Sequence, residues 1–121
     1  EATCQAVKYT DQCIGELIST CEKNDTILVI TSDHGNAESM IDLSTNKKKT
    51  SHTSNLVPLN IFFPSTKNKV RGENCKVRNF KWNENVPSTR NGLSDVAPTV
   101  LTLMNLPIPN DMTGKSLVTK L

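Results

Sequence analysis

An aspartate and a histidine stand side by side in the run VITSDHGNAES, residues 29–39, and a second histidine follows eighteen residues later in SHTSN. An Asp oxygen and two His nitrogens suit Mn²⁺, Zn²⁺ or a related divalent ion. Three protein ligands leave coordination positions open, which is what a catalytic metal needs. Asp33, His34 and His52 are therefore the candidate metal ligands, and His34 and His52 are the only histidines in the chain. Gly35 lets the backbone turn with no side chain in the way. Glu38 and Asn36 are candidates to orient the ligands from behind. The same residues also admit a plainer reading, an exposed Asp-His turn and a solvated His52 in a Ser/Thr-rich loop.

The elements around these residues give the metal reading a place. Ala6, Val7, Cys13, Ile14, Leu17, Ile18 and Cys21 recur at spacings of three, four and seven, which predicts an amphipathic helix over 2–22 stopped by Asn24 and Asp25. TILVITS, residues 26–32, is a short apolar run rich in β-branched residues, the pattern of a strand buried on both faces. Helix, turn and buried strand make half of a βαβ unit. In an open α/β sheet, ligands bind beyond the carboxyl ends of strands, and Asp33 and His34 lie at such an end. Two polar groups at the tip of a buried strand would be costly to desolvate without a return.

A second strand-like run, LVPLNIFFP, covers 56–64, with Pro58 placing it at an edge or a strand start. Residues 65–92 show no periodicity and read as an irregular insertion. They carry Lys67, Lys69, Arg71, Lys76, Arg78, Lys81 and Arg90, with Phe80 and Trp82 interleaved. A last helix starts at Ser94 or Asp95. Asp95 as its N-cap puts Pro98 in the first turn, where a missing N–H costs nothing. Val96, Val100, Leu103 and Met104 form its apolar stripe, and Pro107 keeps it from continuing. Two strands and two helices are too few for a self-sufficient sheet. This predicts a fragment whose remaining strands, and any targeting segment, belong to chain upstream of Glu1.

Composition excludes little. A chain of 121 residues allows at most one domain, and 36% hydrophobic with 4% aromatic residues is low for a compact globule. The net charge of +2 selects no partner. Cys4, Cys13, Cys21 and Cys75 fall in no CxxC spacing and read as reduced thiols of an intracellular protein. No apolar run reaches the roughly 18 residues of a membrane span.

Three stretches taken together, TSDHGNAE, HTSNLVPLNIF and LSDVAPTVLTLMNLPIPNDMTGKSL, resemble the C-terminal portion of the cofactor-independent phosphoglycerate mutases, in order and approximate spacing. That family belongs to the alkaline phosphatase superfamily. The resemblance implies an α/β fold, the C-terminal portion of a three-layer α/β/α domain, with residues 1–121 forming a partial phosphatase-like metal-binding domain. It implies interconversion of 3- and 2-phosphoglycerate in glycolysis and gluconeogenesis, through a phosphoserine intermediate with two divalent ions. Mn²⁺ comes first among these, with Mg²⁺, Co²⁺ or Zn²⁺ as alternatives. Asp33 and His34 would bind one ion and His52 its neighbour. The family's remaining ligands, its nucleophilic Ser and its substrate-binding arginines match nothing in this chain. No catalytic residue is therefore expected here, and the isolated chain is expected to be inactive. The full-length enzyme is expected to be a cytoplasmic monomer, with phosphoglycerate as partner and neither nucleic acid nor membrane.

Two other readings stay open. Asp-His-Gly alone is shared with phosphatases, sulfatases and phosphopentomutases of the same superfamily. From a different class, the basic stretch 67–81 with Phe80 and Trp82 could track an anionic ligand or single-stranded nucleic acid, against the plainer reading of a solvated loop. Lys47–Lys49 reads as a solvated loop.

Overall fold

A 22-residue helix, α1 (Ala2–Lys23), opens the chain and stops where the sequence says it should. Asp25 takes a left-handed φ of 54°, and the Thr26 N–H returns to the Cys21 carbonyl at 3.0 Å, closing the helix end as a Schellman turn. The computed structural model describes residues 1–65, 80–86 and 91–121. They fall in two compact units, Glu1–Asn68 and Lys69–Leu121. The division lies in the stretch read as an insertion.

In the N-terminal unit, α1 leads into β1 (Leu28–Ile30), which pairs with β4 (Asn60–Phe62). The pairing is antiparallel, with Leu28 opposite Phe62 and Ile30 opposite Asn60. The sequence pattern pointed to half of a parallel βαβ unit instead, and among the described residues β1 has this antiparallel neighbour alone. The same pattern predicted a strand buried on both faces, whereas all three residues of β1 are half-buried. α1 packs on β1 yet buries none of its residues. Ile14, Ile18 and Cys21 are partly withdrawn from solvent, while Val7 and Leu17 on the same predicted stripe are 55% and 50% exposed. Glu22 ties the end of α1 to the chain leaving β4, accepting from the Ser65 N–H at 3.0 Å and its hydroxyl at 2.9 Å.

Between β1 and β4 the chain makes a small hairpin, β2 (Ile41–Asp42) against β3 (Lys47–Lys48). Asp42 accepts from the Ser44 N–H at 2.9 Å and its hydroxyl at 2.6 Å, a local turn that starts the reversal. Asn46, with φ 53°, completes it. Two of the three consecutive lysines are therefore strand residues on an exposed hairpin.

The C-terminal unit holds β5 (Phe80–Trp82) and β6 (Val118–Lys120), antiparallel with Phe80 opposite Lys120. β5 lies within the region read as irregular. Three residues carry too little pattern to show, and the strand is defined by its partner near the C-terminus. Residues 66–79 and 87–90, which hold most of the basic stretch 67–81 and Cys75, lie outside the described residues.

A 3-10 turn (Leu93–Asp95) runs into α2 (Val96–Leu103), which packs on β6. Asp95 is the N-cap, as predicted, but its side chain does not cap α2. It instead accepts from the Gly92 N–H at 2.9 Å, closing the 3-10 turn, and from the Lys115 N–H at 2.7 Å. The core is small: Pro98 and Thr99 are fully buried, with Leu103 and Val118 nearly so. Met104, predicted on the apolar stripe, is 62% exposed. The Thr99 hydroxyl takes its place inside, donating to the Asp95 carbonyl at 2.6 Å and accepting from the Leu117 N–H at 2.9 Å. Asn105, with φ 61°, ends α2 two residues before Pro107.

Candidate metal centre

The three predicted ligands come together. β1 delivers Asp33 and His34 from its carboxyl end, and the chain approaching β4 delivers His52. The two segments meet at one backbone bridge, where the Thr53 N–H donates to the Gly35 carbonyl at 2.9 Å. His34 and His52 immediately precede the two bridged residues, so they are diagonal neighbours across an antiparallel pair. Their rings stack with centroids 3.6 Å apart and planes inclined by 31°.

Asp33 completes the cluster. Its Oδ1 lies 3.5 Å from His34 Nε2. His34 Nδ1 lies 3.2 Å from the Gly35 carbonyl oxygen. A carbonyl can only accept, so in this contact Nδ1 is the donor; in the neutral tautomer protonated there, the lone pair lies on Nε2. In that tautomer a nitrogen lone pair and a carboxylate oxygen face one neighbourhood, a donor set that suits a cation. The carbonyl bond to the far nitrogen is the usual way in which a ligating His is oriented.

Two features qualify the sequence picture. The Asp-His pair is not buried: the Asp33 side chain is 78% exposed and that of His34 36%. β1 ends before Thr31, so the pair sits on a loop past the strand rather than at its buried tip. In addition, no three His, Cys, Asp or Glu side chains among the described residues form a group that could hold an ion.

Glu38 stands behind the cluster. Its Oε1 accepts from the Thr53 hydroxyl and from Asn55 Nδ2 at 3.0 Å, and its Oε2 accepts from the Asn36 N–H at 2.6 Å. The carboxyl pKa is lowered to about 2, first by the Thr53 hydroxyl, then by its own backbone N–H; desolvation opposes these, and Asn55 and the Asn36 N–H add smaller lowerings. Gly35 is the buried residue between these groups. A Cβ there would run into Thr53 Oγ1 and Glu38 Oε1. The sequence reading singled out Glu38 but not its partners Thr53 and Asn55. Their i, i+2 spacing on an extended segment, which puts both on one face, was the signal available.

The comparisons point the same way. A family model described as the metalloenzyme superfamily matches residues 1–108. The chain is 42% identical over 118 residues to a 2,3-bisphosphoglycerate-independent phosphoglycerate mutase of Onchocerca volvulus, covering 98% of this chain and 20% of that protein. It is 41% identical over 121 residues to the 2,3-bisphosphoglycerate-independent phosphoglycerate mutase 2 of Methanosarcina barkeri, covering 99% of this chain and 19% of that protein. A mutase of the same description from Clostridium botulinum is 40% identical over 118 residues. The chain spans about a fifth of the length of the curated relatives it matches.

Proposed function

The chain belongs to the metalloenzyme superfamily, and from that premise we propose that it is part of a cofactor-independent phosphoglycerate mutase, an isomerase that interconverts 3- and 2-phosphoglycerate. The observation that carries the reading is the cluster of Asp33, His34 and His52, with His34 Nε2 3.5 Å from the Asp33 carboxylate. Identity near 40% along almost the whole chain to proteins named for that activity supports it. In this reading both compact units are parts of one phosphatase-like domain.

Asp33 and His34 hold one divalent ion and His52 a neighbouring one, with Mn²⁺ the metal of choice for an O/N donor set that keeps open positions. When bound, such ions lower the pKa of a serine hydroxyl and neutralise phosphate oxygens as charge develops. The residues of this chain provide ligands and their orientation. The Gly35 carbonyl, 3.2 Å from His34 Nδ1, favours the tautomer that leaves Nε2 available to an ion. The bridge between Gly35 and Thr53 keeps the two histidine-bearing segments side by side. The nucleophile, the remaining ligands and the groups that hold the glycerate lie outside these 121 residues, in the same cytoplasmic protein acting in glycolysis and gluconeogenesis.

The test is conversion of 3- to 2-phosphoglycerate by the intact protein without added 2,3-bisphosphoglycerate. Activity should disappear with a chelator, return with Mn²⁺, and be lost in His34→Ala and His52→Ala. The 121-residue chain alone should be inactive. Full activity in the presence of chelator, or in either alanine variant, would overturn the proposal.

A further inference from the structure

Both predicted ligand segments converge on one side chain that is itself no predicted ligand. Glu38 lies on the Asp33–His34 side of the site, and two of its donors, Thr53 and Asn55, lie on the His52 side. We propose that Glu38 is a positioning residue, a clasp that sets the spacing between the two histidines and so between the two ions they serve. The inference rests on the two-ion reading above and adds to it the device that pre-forms the site.

The geometry supports this in three ways. First, the carboxylate is engaged on both oxygens by neutral donors, a hydroxyl, a side-chain amide and a backbone N–H. Among the described residues its charge is not spent in an ion pair, and both oxygens accept from donors other than the histidines. Second, the donors come from two sources that differ in what they fix. The Asn36 N–H holds Glu38 to the turn that follows His34 and Gly35. Thr53 and Asn55, alternate residues of an extended segment, present one face to the same oxygen. Third, the contact requires Gly35: any Cβ there would meet the two atoms that make the Thr53–Glu38 bond.

Between the β1–β4 pairing on one side and the β2–β3 hairpin on the other, the two segments without this clasp would share a single backbone bridge, Thr53 N–H to Gly35 carbonyl. One bridge between those pairings leaves the histidine-bearing loops room to shift, and rings 3.6 Å apart would not keep that spacing by stacking alone. A side-chain bond on the far side of Gly35 adds a second point of attachment there. Partners behind metal ligands commonly contribute to affinity through such orientation.

The experiment uses the intact protein and Mn²⁺ alone as probe, with affinity read by calorimetry and folding by circular dichroism. Glu38→Gln keeps the shape but presents an amide N–H₂ where an acceptor is needed, and Thr53→Val removes the donor while keeping the β-branched volume. Each should weaken Mn²⁺ binding about 10–100-fold, whereas Thr53→Ser, which restores the hydroxyl, should stay within about threefold of wild type. Asp95→Asn, in the C-terminal unit, should lower the melting temperature without moving the Mn²⁺ affinity, which separates positioning from general loss of stability. If Glu38→Gln does not fold, Thr53→Val against Thr53→Ser decides. Wild-type affinity in folded Glu38→Gln or Thr53→Val would overturn the clasp and leave the mutase reading intact. If the wild-type protein binds no Mn²⁺, the metal reading fails and the clasp fails with it.

Discussion

Glu38 in the N-terminal unit and Asp95 in the C-terminal unit both join segments distant in sequence through a carboxylate that accepts from neutral donors, but they do so in opposite surroundings. Asp95 is 5% exposed, and the partners that hold it are backbone N–H groups of Gly92 and Lys115. Glu38 is exposed, and two of its three partners are side chains, Thr53 and Asn55. A buried carboxylate bonded to backbone cannot be rearranged without moving the chain, so it secures a fold. An exposed one bonded to side chains can be released without unfolding anything, which suits a site that must accept and adjust to ions. The units differ in core in the same sense: Pro98, Thr99, Leu103 and Val118 are buried in the second, while α1 in the first buries none of its residues.

The glycines facing the two carboxylates give the sharpest way to break this comparison. A Cβ on Gly114 would overlap the Ser94 carbonyl and approach Asp95 N to 2.9 Å, and both obstacles are backbone. Gly114→Ala should therefore destabilise the C-terminal unit by about 3 kcal/mol or more, since overpacking against main chain has no rotamer to relieve it. Denaturant titration of the intact protein should show this as the largest loss of any variant considered. A change under about 1 kcal/mol would mean that the turn at 114 yields, and that Asp95 does not lock it.

Thr99→Val comes next. The hydroxyl is fully buried and makes two bonds, and the replacement keeps the volume but leaves the Leu117 N–H without its acceptor. A fully buried donor left orphaned costs about 1–3 kcal/mol, and the half-buried Leu117 N–H should fall toward the lower end. The loss should register as a lower denaturant midpoint with an unchanged slope, because the unit still unfolds from the same compact state.

These positions also show what the sequence disclosed. Both helices were readable because their apolar spacing is a local property, and their ends because Asp tolerates left-handed backbone, as Asp25 does after α1, and because Pro107 cannot continue α2. Asp33, His34 and His52 were readable as candidate ligands from residue type and their places beside strands, and the family from three stretches of words. The direction of β1 against β4 was not, since a short apolar run looks the same in parallel and antiparallel pairs and its partner is thirty residues away. The stripe of α2 was misjudged at Thr99 because its burial depends on an acceptor contact with Leu117, which no local period encodes. Exposure of the Asp-His pair was missed for a related reason: a strand of β-branched residues implies burial only if something covers it, and α1 leaves β1 half open.

Gly35→Ala is the counterpart of Gly114→Ala and should behave differently. The atoms its Cβ would meet are the ends of the Thr53 and Glu38 side chains, which can rotate away. Stability should change by no more than about 1 kcal/mol, while Mn²⁺ affinity of the intact protein should fall at least about tenfold as the clasp opens. Parallel calorimetry and denaturation would separate the two. A large stability loss with unchanged affinity would reverse the roles assigned to the two units.

The smallest effect is a pH dependence, and it tests the same contrast in the metal-free intact protein. The folded carboxyl of Glu38 is lowered to about 2 from 4.5, chiefly by the Thr53 hydroxyl, so between those values the unfolded chain binds more protons than the folded one. Stability from this group is then complete above about pH 4.5 and lost as pH falls toward about 2. Asp42, lowered from 3.8 to about 2 by the Ser44 hydroxyl and N–H, follows the same sign and overlaps the window from its upper edge near 3.8 downward. Glu38→Gln should flatten the slope from about pH 4.5 downward, whereas Asp42→Asn should flatten only the lower part and leave exchange of the Thr53 amide unchanged. Faster exchange at Thr53 in acid, abolished as a pH effect by Glu38→Gln and not by Asp42→Asn, would assign the upper part of the slope to the carboxylate behind the histidines. An identical acid profile in both variants would mean that Glu38 holds the segments no more tightly than Asp42 holds its own hairpin turn.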